Sequence, residues 1–172
     1  DGSSDILVNA STGVLTFNSA PDYETKTSYT ATVIASDGTN SVTQNITVNV
    51  NNVNDNTPSF TSSATFSAAE NQTSIGTVTA TDADDDTLTY SISGTDASSM
   101  SINSSSGLLA FNSAPDYEIK SSYTATVTAS DGTNSATQNI IINITDANDS
   151  APVFTSSATF SAAENQTAIG TM

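Results

Sequence analysis

Apolar positions along this chain recur every second residue rather than every third or fourth. In Tyr123-Thr124-Ala125-Thr126-Val127-Thr128-Ala129 they alternate with threonine, and in Ile140-Ile141-Ile142-Asn143-Ile144 the even positions stay apolar. A period of two puts alternate side chains on opposite faces of an extended backbone, so each run predicts a half-buried β-strand. Asp131-Gly132-Thr133-Asn134 lies between them and supplies the residue types of a tight turn, which predicts a β-hairpin. β-Branched Thr suits the strands, while Ser and Asn suit turns and solvated faces. No segment shows an apolar stripe at i, i+3 and i+4 with caps that would predict a helix.

The same pattern returns at a long period of 94 residues. Phe17-Asn18-Ser19-Ala20-Pro21-Asp22-Tyr23-Glu24 comes back as Phe111 to Glu118, and Ala35 to Ser41 comes back as Ala129 to Ser135. Thr61 to Thr73 is repeated unchanged as Thr155 to Thr167. Taking Pro58 and Pro152 as junctions, residues 57–150 read as one complete module, with 1–56 the C-terminal part of a preceding one and 151–172 the N-terminal strands of a following one. Roughly seven short strands per module, with turns about every ten residues, predict an all-β antiparallel sandwich repeated in a linear array. The chain opens at Asp1 in mid-pattern and reads as a segment of a longer array. Half a sandwich cannot bury enough apolar surface alone, so each partial module is expected to be completed by a neighbouring repeat of the same or an identical chain.

Composition narrows the chemistry. The 172 residues carry 18 Asp and Glu against 2 lysines, with no His or Cys, for a formal charge of −16. There is therefore no imidazole base, no thiol nucleophile and no nitrogen or sulfur ligand for zinc, copper or haem. With Lys26 and Lys120 as the only cationic side chains, the chain cannot neutralise a phosphate backbone or an anionic lipid surface, so no nucleic-acid partner is expected. Its apolar runs are too short to cross a bilayer, so no direct membrane insertion is expected of this segment. Without cysteine no disulfide can staple the fold, and bound cations are the obvious substitute.

The acids are also placed rather than scattered. All but Asp1, Asp5, Asp85, Asp86 and Asp96 fall in motifs that recur by module. These are Ala69-Glu70-Asn71 (again at Glu164), Asp82-Ala83-Asp84, Asp22-Tyr23-Glu24 (again Asp116-Tyr117-Glu118), Ala35-Ser36-Asp37 (again at Asp131), and the linkers Asn52 to Asn56 and Asp146 to Ser150. Asp85 and Asp86 read as turn residues. In this order, and leading to Pro58-Ser59-Phe60 and Pro152-Val153-Phe154, the motifs resemble the cadherin repeat over essentially the whole chain. The near-identical, Ser/Thr/Asn-rich copies look more like the cadherin-like repeats of bacterial or archaeal surface proteins than like animal receptors.

The resemblance implies a seven-stranded Greek-key sandwich that binds Ca2+ where successive modules meet. At the first junction it implies ligands from Asp22 and Glu24, from Asn52, Asn54 and Asp55 of the linker, and from Asp82, Asp84 and Asp131 of the next module. At the second it implies Glu70, Asp116 and Glu118 with Asp146, Asn148 and Asp149. Glu164 and Asp37 are the repeat equivalents of Glu70 and Asp131. Asn52 stands where the family's linker begins with Asp, which lowers the charge of that joint. Calcium takes six to eight oxygen ligands, which carboxylates, Asn side chains and carbonyls can supply, and packing the acids together without a cation costs mutual repulsion. The expected function is a calcium-stiffened, non-enzymatic element of an extracellular or cell-surface stalk or fibre. The competing readings are an adhesive module that binds a protein or glycan itself, and an accessory repeat of a large extracellular enzyme.

Overall fold

The computed structural model describes residues 5–171. Residues 1–4 and 172, the outer limits of the two partial modules, lie outside the described residues.

The period-two runs are strands, as the pattern predicts. In the first segment β1 (Ile6–Val8) pairs antiparallel with β2 (Leu15–Phe17), and β3 (Ser28–Ser36) with β4 (Ser41–Asn49). The central segment continues with β5 (Ser59–Phe60), β6 (Thr65–Ala69), β7 (Ser74–Thr77), β8 (Ala80–Thr81), β9 (Thr89–Ser93), β10 (Met100–Ile102), β11 (Leu108–Phe111), β12 (Ser122–Ser130) and β13 (Ser135–Thr145). β5 with β6, and β7 with β8, are single strands each broken by a short irregularity, so the count reduces to the seven of the expected sandwich. One sheet runs β6-β13-β12-β9, with β6 parallel to β13, and the other runs β10-β11-β7. β5 pairs with β8 to close the side. Among the described residues the helical content is one short 3-10 turn, Ala97–Ser99.

The core lies between these sheets. Val78, Leu109, Val127, Ile140 and Ile142 are fully buried, and Ile75, Met100, Phe111 and Ile144 pack around them. Burial of such side chains contributes about 1.5–3 kcal/mol each before entropy is counted. Along β13, Ile140, Ile142 and Ile144 face the core while Ile141 faces out, as the alternation requires.

Residues 151–171 depart from expectation. They form no strand, although Thr155–Thr167 has the same sequence as Thr61–Thr73. In the central segment that sequence becomes β6 because β13 hydrogen-bonds along it and Phe66 packs against the core. Among the described residues the copy has neither neighbour, and Val153, Phe154 and Ile169 are exposed. A strand's backbone polar groups need partners, so local sequence alone does not hold one.

The sandwich thus presents two ends. At one lie the turn after β6, the β11–β12 connection and linker 146–150; at the other lie the β8–β9 connection, the β12–β13 turn and linker 52–56.

Candidate metal centres at the two ends of the sandwich

Asp84, only 5% exposed, organises the first end. Its Oδ2 accepts the backbone N–H groups of Asp55 at 3.1 Å and Asn56 at 2.8 Å, and its Oδ1 accepts Asn56 Nδ2 at 3.0 Å. Asn52 Nδ2 donates to the Asp84 carbonyl at 2.8 Å, so the linker wraps around one residue of the following segment. From the β12–β13 turn, Asn134 Nδ2 donates to Asn54 Oδ1 at 3.1 Å and to the Asn56 carbonyl at 2.9 Å. Asp131 builds that turn, its Oδ1 accepting the N–H groups of Thr133 and Asn134 at 2.6 Å each.

Two carboxylate groups of three meet at Asp84. Oxygens of Glu24, Asp55 and Asp84 lie within 4.8 Å of one another, and so do those of Asp82, Asp84 and Asp86. The Oδ2 atoms of Asp82 and Asp131 are cut off from solvent and accept no hydrogen bond. An uncompensated buried anionic oxygen is costly, and a hard cation is the partner that an all-oxygen surround can hold. The donor set therefore fits calcium and lacks what zinc or copper would prefer.

At the second end Glu70 plays the corresponding part. It is 2% exposed, and its Oε2 accepts Tyr117 N–H at 2.8 Å while its Oε1 accepts Ala147 N–H at 2.6 Å. Asn71, at a left-handed φ of 61°, turns the chain and donates from Nδ2 to Asp149 Oδ2 at 2.6 Å. Glu70, Asp116 and Glu118 bring oxygens within 4.8 Å of one another.

The electrostatics show surplus negative charge. Glu24's own backbone N–H favours its ionised form, but burial and the Asp84 carboxylate outweigh this and raise its pKa. Glu118 is raised in the same way, its own N–H being overcome by burial and by Glu70, Asp149 and Asp146. Burial, then Asp82, Asp84 and Asp131, push Asp86 up. The Asn56 N–H holds Asp84 below the ordinary aspartate value, and although burial opposes it, the Asn134 and Thr133 N–H groups hold Asp131 low. No lysine relieves these clusters. Lys26 pairs with Asp5 at 3.0 Å and Lys120 pairs with Asp96, which it holds low, so both cations serve acids outside the motifs.

Most expected ligands therefore converge, with exceptions. Asp22 spends Oδ1 on the N–H groups of Glu24 and Thr25 and Oδ2 on the Thr25 hydroxyl, and it belongs to none of the three clusters. Asp37 repeats the Asp131 turn, bonding Thr39 and Asn40, but is exposed and outside the clusters. Glu164 lies exposed in the strandless tail, and Asp146 and Asn148 are exposed in the second linker. Asp86 joins a cluster although it reads as a turn residue, and Asn56 and Asn134 prove to be principal linker contacts. The signal for Asn56 was its place closing the Asn52-to-Asn56 linker.

The sequence model for the cadherin domain matches residues 64–145. The chain is 38% identical over 162 residues to cadherin EGF LAG seven-pass G-type receptor 2 of mouse, covering 87% of this chain and 6% of that protein. It is 34% identical over 161 residues to the Drosophila protocadherin-like wing polarity protein stan, covering 84% of this chain and 4% of that protein. Among solved structures, mouse cadherin-23 EC22-24 superposes with a TM-score of 0.74 at 27% identity, covering 86% of this chain and 51% of that one. The protocadherin gammaB7 EC3-6 cis-dimer structure does so at 0.71 and 32%, covering 78% of this chain and 36% of that one. These relatives are animal proteins, and they give no support to the bacterial or archaeal kinship expected from the style of the repeats. On fold, motif order and sequence together, residues 64–145 of this chain are a cadherin domain.

Proposed function

We propose that the chain is a calcium-stiffened spacer of an extracellular adhesion array, with the complete module spanning 57–150. The chain spans a small fraction of its curated relatives, so this reading is of the segment. The observation that carries it is the pair of buried, partnerless oxygens on Asp82 and Asp131, beside a linker already gathered onto Asp84. Glu24, Asp55, Asp82, Asp84 and Asp131, with Asn52 and Asn54, would hold calcium at the first joint. Glu70, Asp116 and Glu118 would hold it at the second with Asp146, Asn148 and Asp149, and a following module would complete that joint. The ion supplies positive charge that no side chain here provides, and it ties residues of two modules and their linker to one point. Cadherin relatives that are receptors, and one solved as a cis-dimer, support an adhesive setting at the cell surface.

Thermal melts of the 172-residue chain in calcium and in chelator test this. Extracellular calcium modules bind at about 0.1–1 mM, and ligand at about a hundred times its Kd adds roughly 2.7 kcal/mol per site. The midpoint is expected to rise by several degrees in calcium. Identical midpoints would overturn the proposal.

A further inference from the structure

The β8–β9 connection carries Asp82, Asp84, Asp85 and Asp86, two acids more than two alternating ligands require. Asp85 sits at φ 61°, a left-handed residue that reverses the chain and leaves its own side chain exposed. That reversal returns Asp86 to the side of Asp82 and Asp84, where the three offer oxygens within 4.8 Å of one another and Asp86 is half-buried. Independently, the Oδ2 atoms of Asp82 and Asp131 are sealed from solvent with no donor. A cluster built only to decorate a turn would leave such oxygens to water.

Resting on the calcium reading above, we infer that Asp86 is an additional calcium-binding carboxylate of the first joint, restoring on the β8–β9 side the negative charge that Asn52 removes from the linker. Asn52 spends its amide N–H on the Asp84 carbonyl, whereas Asp86 sets its oxygen beside the Asp82 and Asp84 carboxylates. The joint would then keep a full complement of charge with its carboxylates redistributed, and its affinity would depend on Asp86.

The test is calcium titration by calorimetry of the 172-residue chain and its Asp86→Asn and Asp85→Asn variants, with melts of each in chelator. Asp86→Asn is expected to weaken the first-joint binding step by about tenfold, since ligand charge count tunes calcium affinity. Asn tolerates the left-handed region, so Asp85→Asn keeps the turn while removing an equal charge, and it is expected to change affinity by less than about twofold. In chelator Asp86→Asn should melt no lower than the parent, because a like charge has been removed. Unchanged calcium affinity in Asp86→Asn, an equal loss in Asp85→Asn, or a lower chelator midpoint for Asp86→Asn would each overturn the inference. A parent chain that binds no calcium would instead overturn the reading on which it rests.

Discussion

Asp84, Asp85 and Asp86 are three adjacent copies of one side chain with three different fates. Asp84 is buried under the linker, Asp85 is an exposed left-handed turn residue, and Asp86 comes back to the cluster. Sequence spacing made Asp82 and Asp84 legible as a pair, because alternate residues share a side. It could not place Asp86, because that depends on the sign of one φ angle at Asp85. Asn52 was legible as the departure from the linker pattern but not as a donor, since only the fold brings the Asp84 carbonyl to it. That contact gives a two-sided expectation for Asn52→Asp. Replacing the donor sets a carboxylate against a carbonyl, so the chelator midpoint should fall, whereas the added ligand charge should tighten calcium binding several-fold. Calorimetry paired with melts checks it, and unchanged affinity would show that residue 52 faces no ion.

At the scale of elements, the two long hairpins are a natural control. Ser28–Ser36 and Ser122–Ser130 differ at one residue, Ile34 against Thr128, and both pair with a following strand in the same register. Phe17 meets Tyr29 edge-on at 4.9 Å, and Phe111 meets Tyr123 at the same distance. Yet Ala125, Val127 and Ala129 are buried while Ala31 and Val33 are half-buried and Ala35 is exposed. The period-two pattern therefore determines strand and turn, and only a facing sheet converts them into core. Gly13 and Gly107, one repeat apart, share left-handed φ values of 72° and 71°. A Cβ at Gly107 would meet the Val78 carbonyl oxygen at 2.1 Å, whereas at Gly13 it meets nothing within 4 Å. Either alanine carries the left-handed penalty of about 1–2 kcal/mol, and only Gly107→Ala adds a backbone clash in the core. Melting of the two variants should show a much larger loss for Gly107→Ala; equal losses would mean that the first segment packs as tightly as the central one.

For the molecule as a whole, the formal charge of −16 and its gathering at the joints make stability depend on what neutralises the acids. In metal-free buffer protons are the available substitute. Glu24, Glu118 and Asp86 have raised pKa values, so the folded chain holds more protons than the unfolded one at pH above the ordinary glutamate value of 4.5. When the folded state binds more protons, stability falls as pH rises. The depressed acids, Asp22, Asp37, Asp84, Asp96 and Asp131, act in the opposite sense, but only below the ordinary aspartate value of 3.8. Just above the ordinary carboxylate range the raised groups give this downward slope, and the metal-free chain should melt at a higher temperature at about pH 5 than at about pH 7.5. Calcium competes with protons for the same oxygens, so the increment it adds to the midpoint should grow from pH 5 to 7.5, and the two pH profiles should converge on acidification. Melts at both pH values, in metal-depleted buffer and in millimolar calcium, check this. A metal-free midpoint that rises with pH would show that the joint carboxylates are already neutralised within the chain, and would remove the electrostatic reason for them to bind an ion at all.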